Sequence, residues 1–182
     1  LYVLSCVANI AWIFLWHYEV FVITIVAMIS LLLLLITIYL ALGIGRISAS
    51  TGETWFVRIP FSIYLGWITV ATIANATSLL DFLNWTGWGI APDVWAVIML
   101  IAGALITLAV SLSRGDVAFV LVIVWAFVGI AVKHSDTPLV AISASFLAGL
   151  LLLTPLLGIP YKGERLGPQS VSPEGEDARD RW

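Results

Sequence analysis

Charge is scarce in this 182-residue chain: Lys, Arg, Asp and Glu together make up 10%, where a soluble domain carries about 25%. Cysteine and histidine are scarcer still. The single cysteine, Cys6, excludes an intrachain disulfide and any multi-cysteine metal site, and two histidines exclude a His-rich metal cluster. No Gly-rich phosphate loop, G-x-S-x-G or H-E-x-x-H is present, and no carboxylates pair within an apolar run. Glu19, Asp81, Asp93 and Asp136 all fall at the ends of apolar segments. The chain is therefore expected not to be an enzyme, to require no cofactor, to hold no metal and to bind no nucleic acid. A proton-coupled transporter usually carries an ionisable residue in mid-span, and none of the apolar runs has one.

What fills the chain instead is apolar. Hydrophobic residues make up 62% and the mean hydropathy is +1.09. A soluble core of this length cannot hide so much apolar surface, so the surplus must face lipid. The fold class expected is all-α: a polytopic transmembrane helical bundle of about six spans, at residues 1–16, 20–43, 59–81, 93–112, 117–132 and 137–157. Pro60 suits the first turn of the third span, where its missing N–H is not needed. Residues 158–182, rich in Gly, Pro, Ser and charge, read as a disordered tail. Leu1 lies already inside an apolar run with no charged segment before it, so the sequence reads as part of a longer chain.

With six spans the connections alternate sides. The loop 44–58, the turn 113–116 and the tail hold Arg46, Arg58, Arg114, Lys162, Arg165, Arg179 and Arg181; the opposite turns hold only Lys133. By the positive-inside rule the first group, tail included, is cytoplasmic. The opposite side carries Trp85, Trp88 and Trp95 around a Gly-broken turn, which resembles an interfacial aromatic belt.

Two sets of polar and aromatic residues stand out within the spans. Asn9 and Trp12 lie three apart with Trp16 one turn on, and Tyr64, Trp67, Ala71 and Asn75 recur at helical spacing. A span amide commonly bonds a neighbouring helix and holds the bundle together, at ~0.6 kcal/mol on average. The same residues suit an aromatic-lined cavity, in which a Trp N–H needs a partner. Trp67 lies deeper than a belt residue, and either a ligand cavity or a helix interface accounts for it. Trp16 and Tyr18 also read as belt anchors.

YLGWITVATIAN, Tyr64 to Asn75, resembles the last-helix signature of the TspO/MBR family of tryptophan-rich sensory or translocator proteins, matching at Tyr64, Leu65, Trp67, Ala71 and Asn75. Ile63, Val70 and Ala74 depart from it, standing where the family has Pro, Phe and Leu. ANIAWIFLWH, Ala8 to His17, resembles the family's Asn-x-x-Trp helix end through Asn9 and Trp12, with Trp16 replacing another aromatic and Ile13 a Ser. The family's preceding aromatic, Pro-containing helix has no counterpart, and three spans follow the point where compact members end, as in a longer bacterial form. The resemblance implies an integral protein of a bacterial plasma membrane that binds a tetrapyrrole or sterol-like lipid for sensing, regulation or transport. It implies a ligand site drawn from Asn9, Trp12, Trp16, Tyr64, Trp67, Ala71 and Asn75, a porphyrin or haem held by stacking without a His ligand, and the bilayer and a second copy as partners. Two other readings stand beside it: a structural or assembly subunit without ligand, and a small-molecule transporter.

Overall fold

The computed structural model describes residues 1–157, and the tail lies outside the described residues. Six helices cross back and forth: α1 Tyr2–His17, α2 Phe21–Ala41, α3 Thr51–Phe82, α4 Pro92–Arg114, α5 Val117–Lys133 and α6 Pro138–Leu157. No strand occurs among the described residues. α2, α3, α4 and α6 are long and apolar enough to cross a membrane, while α1 and α5 are shorter apolar helices. The protein is an all-α helical bundle of the integral membrane class.

Local signals explain most boundaries. The Asp116 side chain caps α5 by accepting from the Phe119 N–H at 3.1 Å, the usual remedy for the orphan donors of a helix start. Gly115 ends α4 in the left-handed conformation, with φ 62°, which glycine adopts without penalty. Pro92 opens α4 in its first turn.

The start of α3 departs from the sequence expectation. The helix begins at Thr51, inside the stretch read as loop, and is capped there by the Ser50 hydroxyl, which accepts from the Glu53 N–H at 3.1 Å. Thr54–Arg58 then forms a π-helical turn in which the Ile59 N–H reaches back to the Thr54 carbonyl. Pro60 follows inside the helix rather than at its beginning. A proline ring clashes with the carbonyl four residues earlier and offers it no N–H; a widened turn is one way a helix absorbs such a defect.

The helices pack as two groups. α1 and α3 lie against α2, α4 and α5 lie against α6, and α3 meets α5 to join the groups. At that joint Gly66 of α3 stands so close to Val122 and the Phe119 carbonyl that a Cβ would meet them at 3.2–3.3 Å. The core is Met28, Leu31 and Leu35 of α2, Phe119, Val120 and Ile123 of α5, and Leu151 of α6. The outside is also apolar: Val132 is 72% exposed, Ile142 68% and Phe146 69%. Such a surface is stable only in lipid. Most hydroxyls it encloses donate to carbonyls of their own helix, as Thr69 does to Leu65 and Thr107 to Gly103, while the Ser111 hydroxyl of α4 donates to Thr154 of α6 at 3.0 Å.

The topology gives the bundle two unlike ends. One gathers the tryptophan turn 85–95 with the end of α1 and the start of α2. The other gathers Arg46, Arg58 and Arg114.

Candidate functional site

At the tryptophan end, α1, α2 and α3 bring a row of aromatic rings together. Trp12 packs against Trp16 with centroids 5.8 Å apart. Trp16 meets Phe21 edge-on at 5.3 Å, and Phe21 meets Phe82 at 5.2 Å. The row runs from α1 across the start of α2 to the end of α3.

Beside it lies Asn75, 2% exposed, facing Thr24, which is fully buried. The two side chains stand 3.5 Å apart. The Thr24 hydroxyl already donates to the Phe21 carbonyl at 2.7 Å, and one hydroxyl has one proton. Thr24 therefore satisfies one end of the Asn75 amide at most, whichever way the amide is turned. Asn75 Nδ2 is buried without a partner, and so is Trp12 Nε1. A buried donor left unpaired costs about 1–3 kcal/mol. The two groups lie on the two helices that flank α2.

The other expected site residues are distributed along the same helices. Asn9 is half-buried on α1 and makes no side-chain hydrogen bond among the described residues. Tyr64 and Ala71 are half-buried against the core. Near Tyr64, Phe61 of α3 meets Tyr2 of α1 edge-on at 6.1 Å. Trp67 is not brought to this group. It is 46% exposed and packs on Trp125 of α5 at 5.3 Å, on the seam between α3 and α5. Trp16 keeps a dual character, at the helix end and 37% exposed yet part of the ring row.

No His faces the aromatic row to ligate a metal: His17 is exposed and packs on Tyr18 at 5.2 Å. Among the described residues no three His, Cys, Asp or Glu side chains converge. What the row presents is aromatic surface and two buried polar groups.

The turn 85–95 closes on itself. Trp85, Trp88 and Trp95 pack mutually at 5.1–6.0 Å, and the Trp95 N–H donates to the Gly87 carbonyl at 2.9 Å.

Sequence reasoning missed the polar cluster at the arginine end. Tyr39 of α2 donates to Asp116 at 2.8 Å, so Asp116 is a buried residue, 7% exposed, and not only a turn residue. Arg114 lies over the Tyr39 ring at 5.7 Å and donates to the Ile44 carbonyl at 3.1 Å. Arg58 pairs with Glu53 at 2.9 Å and also donates to the Ile47 carbonyl. The sequence signal was weak: Asp116 stands at a cap position, but its partner Tyr39 is 77 residues away.

A family model described as TSPO-like protein matches residues 1–157, all of the described helical region. Neither the curated proteins nor the solved structures contain a match to the chain.

Proposed function

The chain belongs to the TSPO-like family, and we propose that it binds a flat hydrophobic ligand, a tetrapyrrole or a sterol-like lipid, at the tryptophan end of α1, α2 and α3. One observation carries the reading: two buried polar groups, Trp12 Nε1 and one end of the Asn75 amide, have no partner and sit beside a row of aromatic rings. A folded protein tolerates unpaired buried donors where a bound molecule completes them. Trp12 and Trp16 supply the stacking face. Asn9, Tyr64, Ala71 and Asn75 continue the wall along α1 and α3, with Thr24 as the partner that holds the Asn75 amide in place. Trp67, on the other seam, lies outside this site. The ligand serves sensing, regulation or transport in a bacterial plasma membrane, with the arginine end and the tail cytoplasmic, and a second copy of the chain is the expected protein partner.

Porphyrin titration in detergent or nanodiscs, followed by Trp fluorescence, tests the reading. Trp12→Phe keeps a ring and removes the N–H, so affinity should fall about two- to twelvefold, the worth of one hydrogen bond. Trp67→Ala should leave the affinity unchanged. Binding that is indifferent to Trp12 and sensitive to Trp67 would move the site to the α3–α5 seam.

A second reading has its own support. The Thr24–Asn75 and Ser111–Thr154 contacts are interhelix bonds of the kind that hold bundles together, as a structural or assembly subunit requires. That reading predicts co-purification with another membrane protein and no response to porphyrin. A transporter role would show as substrate uptake into proteoliposomes.

A further inference from the structure

A second concave site lies away from the aromatic row. It is a groove of about 680 Å³ in the α3–α5 seam, within the usual ~300–1,000 Å³ of small-molecule sites. Its mouth is at the arginine end, where Arg58, Arg114 and Asp116 line it, and it descends past Ile63 and Leu121 to Trp125. Trp125 lies eight residues beyond Val117, the first residue of α5, which at 1.5 Å per residue is roughly 12 Å below the mouth.

The charges at the mouth balance in number, Arg58 and Arg114 against Glu53 and Asp116, but only one pair is in contact. Arg58 is paired with Glu53. The Asp116 carboxylate accepts from the Tyr39 hydroxyl and the Phe119 N–H. Arg114 has only the Ile44 carbonyl and the Tyr39 ring, and no carboxylate within ion-pair distance among the described residues. Its position is held by the backbone: Gly45, with φ +72°, lies directly against the Arg114 main chain, where no Cβ fits. A fixed guanidinium with unused donors thus stands at the membrane-surface end of an apolar groove.

The floor has a matching peculiarity. Trp125 is 64% exposed and Trp67 46%, and they pack on each other at 5.3 Å. Belt tryptophans sit at the membrane surface; this pair sits at the depth of acyl chains, at the end of the groove.

We propose that this groove binds one anionic phospholipid, with its phosphate-bearing headgroup on Arg114 and an acyl chain laid along the α3–α5 seam onto Trp125. Charge complementarity selects the head: Arg114 has no ion-pair partner among the described residues, and Arg46 leaves this end with one more arginine than carboxylates, which favours an anionic headgroup over a zwitterionic one. The length and apolar walls of the groove select a chain-bearing molecule over a free anion. The site is separate from the aromatic row and does not depend on the function proposed there.

The test uses the full chain in phosphatidylcholine nanodiscs, into which acyl-dibrominated phosphatidylglycerol or acyl-dibrominated phosphatidylcholine is titrated. Bromines quench the indoles they touch. Phosphatidylglycerol should reach half-maximal quenching at a mole fraction about fivefold lower, the selectivity of roughly one basic residue at an anionic surface. Arg114→Gln should merge the two curves, and Trp125→Phe should remove the selective component. Arg114 is also held by the Ile44 carbonyl, so Ala118→Phe, which fills the groove and leaves both arginines in place, serves as the second variant and should abolish the selective component too. Identical curves in the parent protein, or a selective component that survives both Arg114→Gln and Ala118→Phe, overturn the proposal. Inorganic phosphate, against chloride at equal ionic strength, should not displace the brominated lipid. Displacement by phosphate alone would make this an anion site without a lipid tail and would equally overturn it.

Discussion

Replacing Asn75 by Ala should stabilise the protein and weaken its proposed ligand binding. The amide is 2% exposed and one of its polar ends has no partner. Leaving that end unpaired costs about 1–3 kcal/mol. Its one side-chain hydrogen-bond contact among the described residues, with Thr24 at 3.5 Å, returns ~0.6 kcal/mol if it matches the mean for such bonds in membrane bundles. Alanine is smaller than asparagine by about 25 Å³, and a void of that size costs ~0.6 kcal/mol at about 24 cal/mol per Å³. These terms span roughly −0.2 to +1.8 kcal/mol and centre on a gain of about 0.8 kcal/mol. Reversible unfolding in mixed micelles, followed by helical circular dichroism, reads the change directly. Porphyrin affinity of the same variant should fall about two- to twelvefold, the loss of one hydrogen bond. A stability loss greater than about 1 kcal/mol would refute the reasoning, because it would mean that the amide is fully satisfied in the free protein. Unchanged affinity beside raised stability would make Asn75 a packing residue.

Two further substitutions test the arginine end. Gly45→Ala forces a Cβ into a left-handed conformation, with φ +72°, and onto the Arg114 backbone; the conformational part alone costs about 1–2 kcal/mol, so the apparent melting temperature should fall clearly. For Tyr39 and Asp116, Asp116→Ala removes a helix cap worth ~1 kcal/mol and also strands the Tyr39 hydroxyl, so it should cost more than Tyr39→Phe. The double variant should be less damaging than the sum of the two, since Tyr39→Phe removes the hydroxyl that Asp116→Ala strands. Strict additivity in unfolding measurements would show that the 2.8 Å contact carries no energy.

How far each feature could be read from the residues depended on where its cause lies. The helices were legible because each is a run of apolar side chains bounded by residues with local effects, such as Asp116 capping α5 and Gly115 ending α4. Pro60 misled for an instructive reason. Its missing N–H suits a helix start, but a π turn at Thr54–Arg58 accommodates it equally well, so the helix began earlier, at Thr51. Trp12 and Asn75 were legible as polar groups in apolar spans. That one end of the Asn75 amide is unpaired was not, because this depends on Thr24, 51 residues away, having committed its proton elsewhere.

Trp67 marks the boundary most sharply. At 100° per residue it stands about 80° around the helix from Asn75, near enough to look like the same face. With α2 packed on one side of α3 and α5 on another, those 80° separate a residue buried against Thr24 from one lying on Trp125. Composition and periodicity alone determined the membrane class, the all-α bundle and the polar and aromatic residues worth attention, because lipid exposure and helical spacing act locally along the chain. Only the tertiary structure decided which of those residues meet, which buried groups stay unpaired, and that Arg114 stands at the mouth of a groove with no ion-pair partner among the described residues. Those outcomes depend on the packing of helices far apart in sequence.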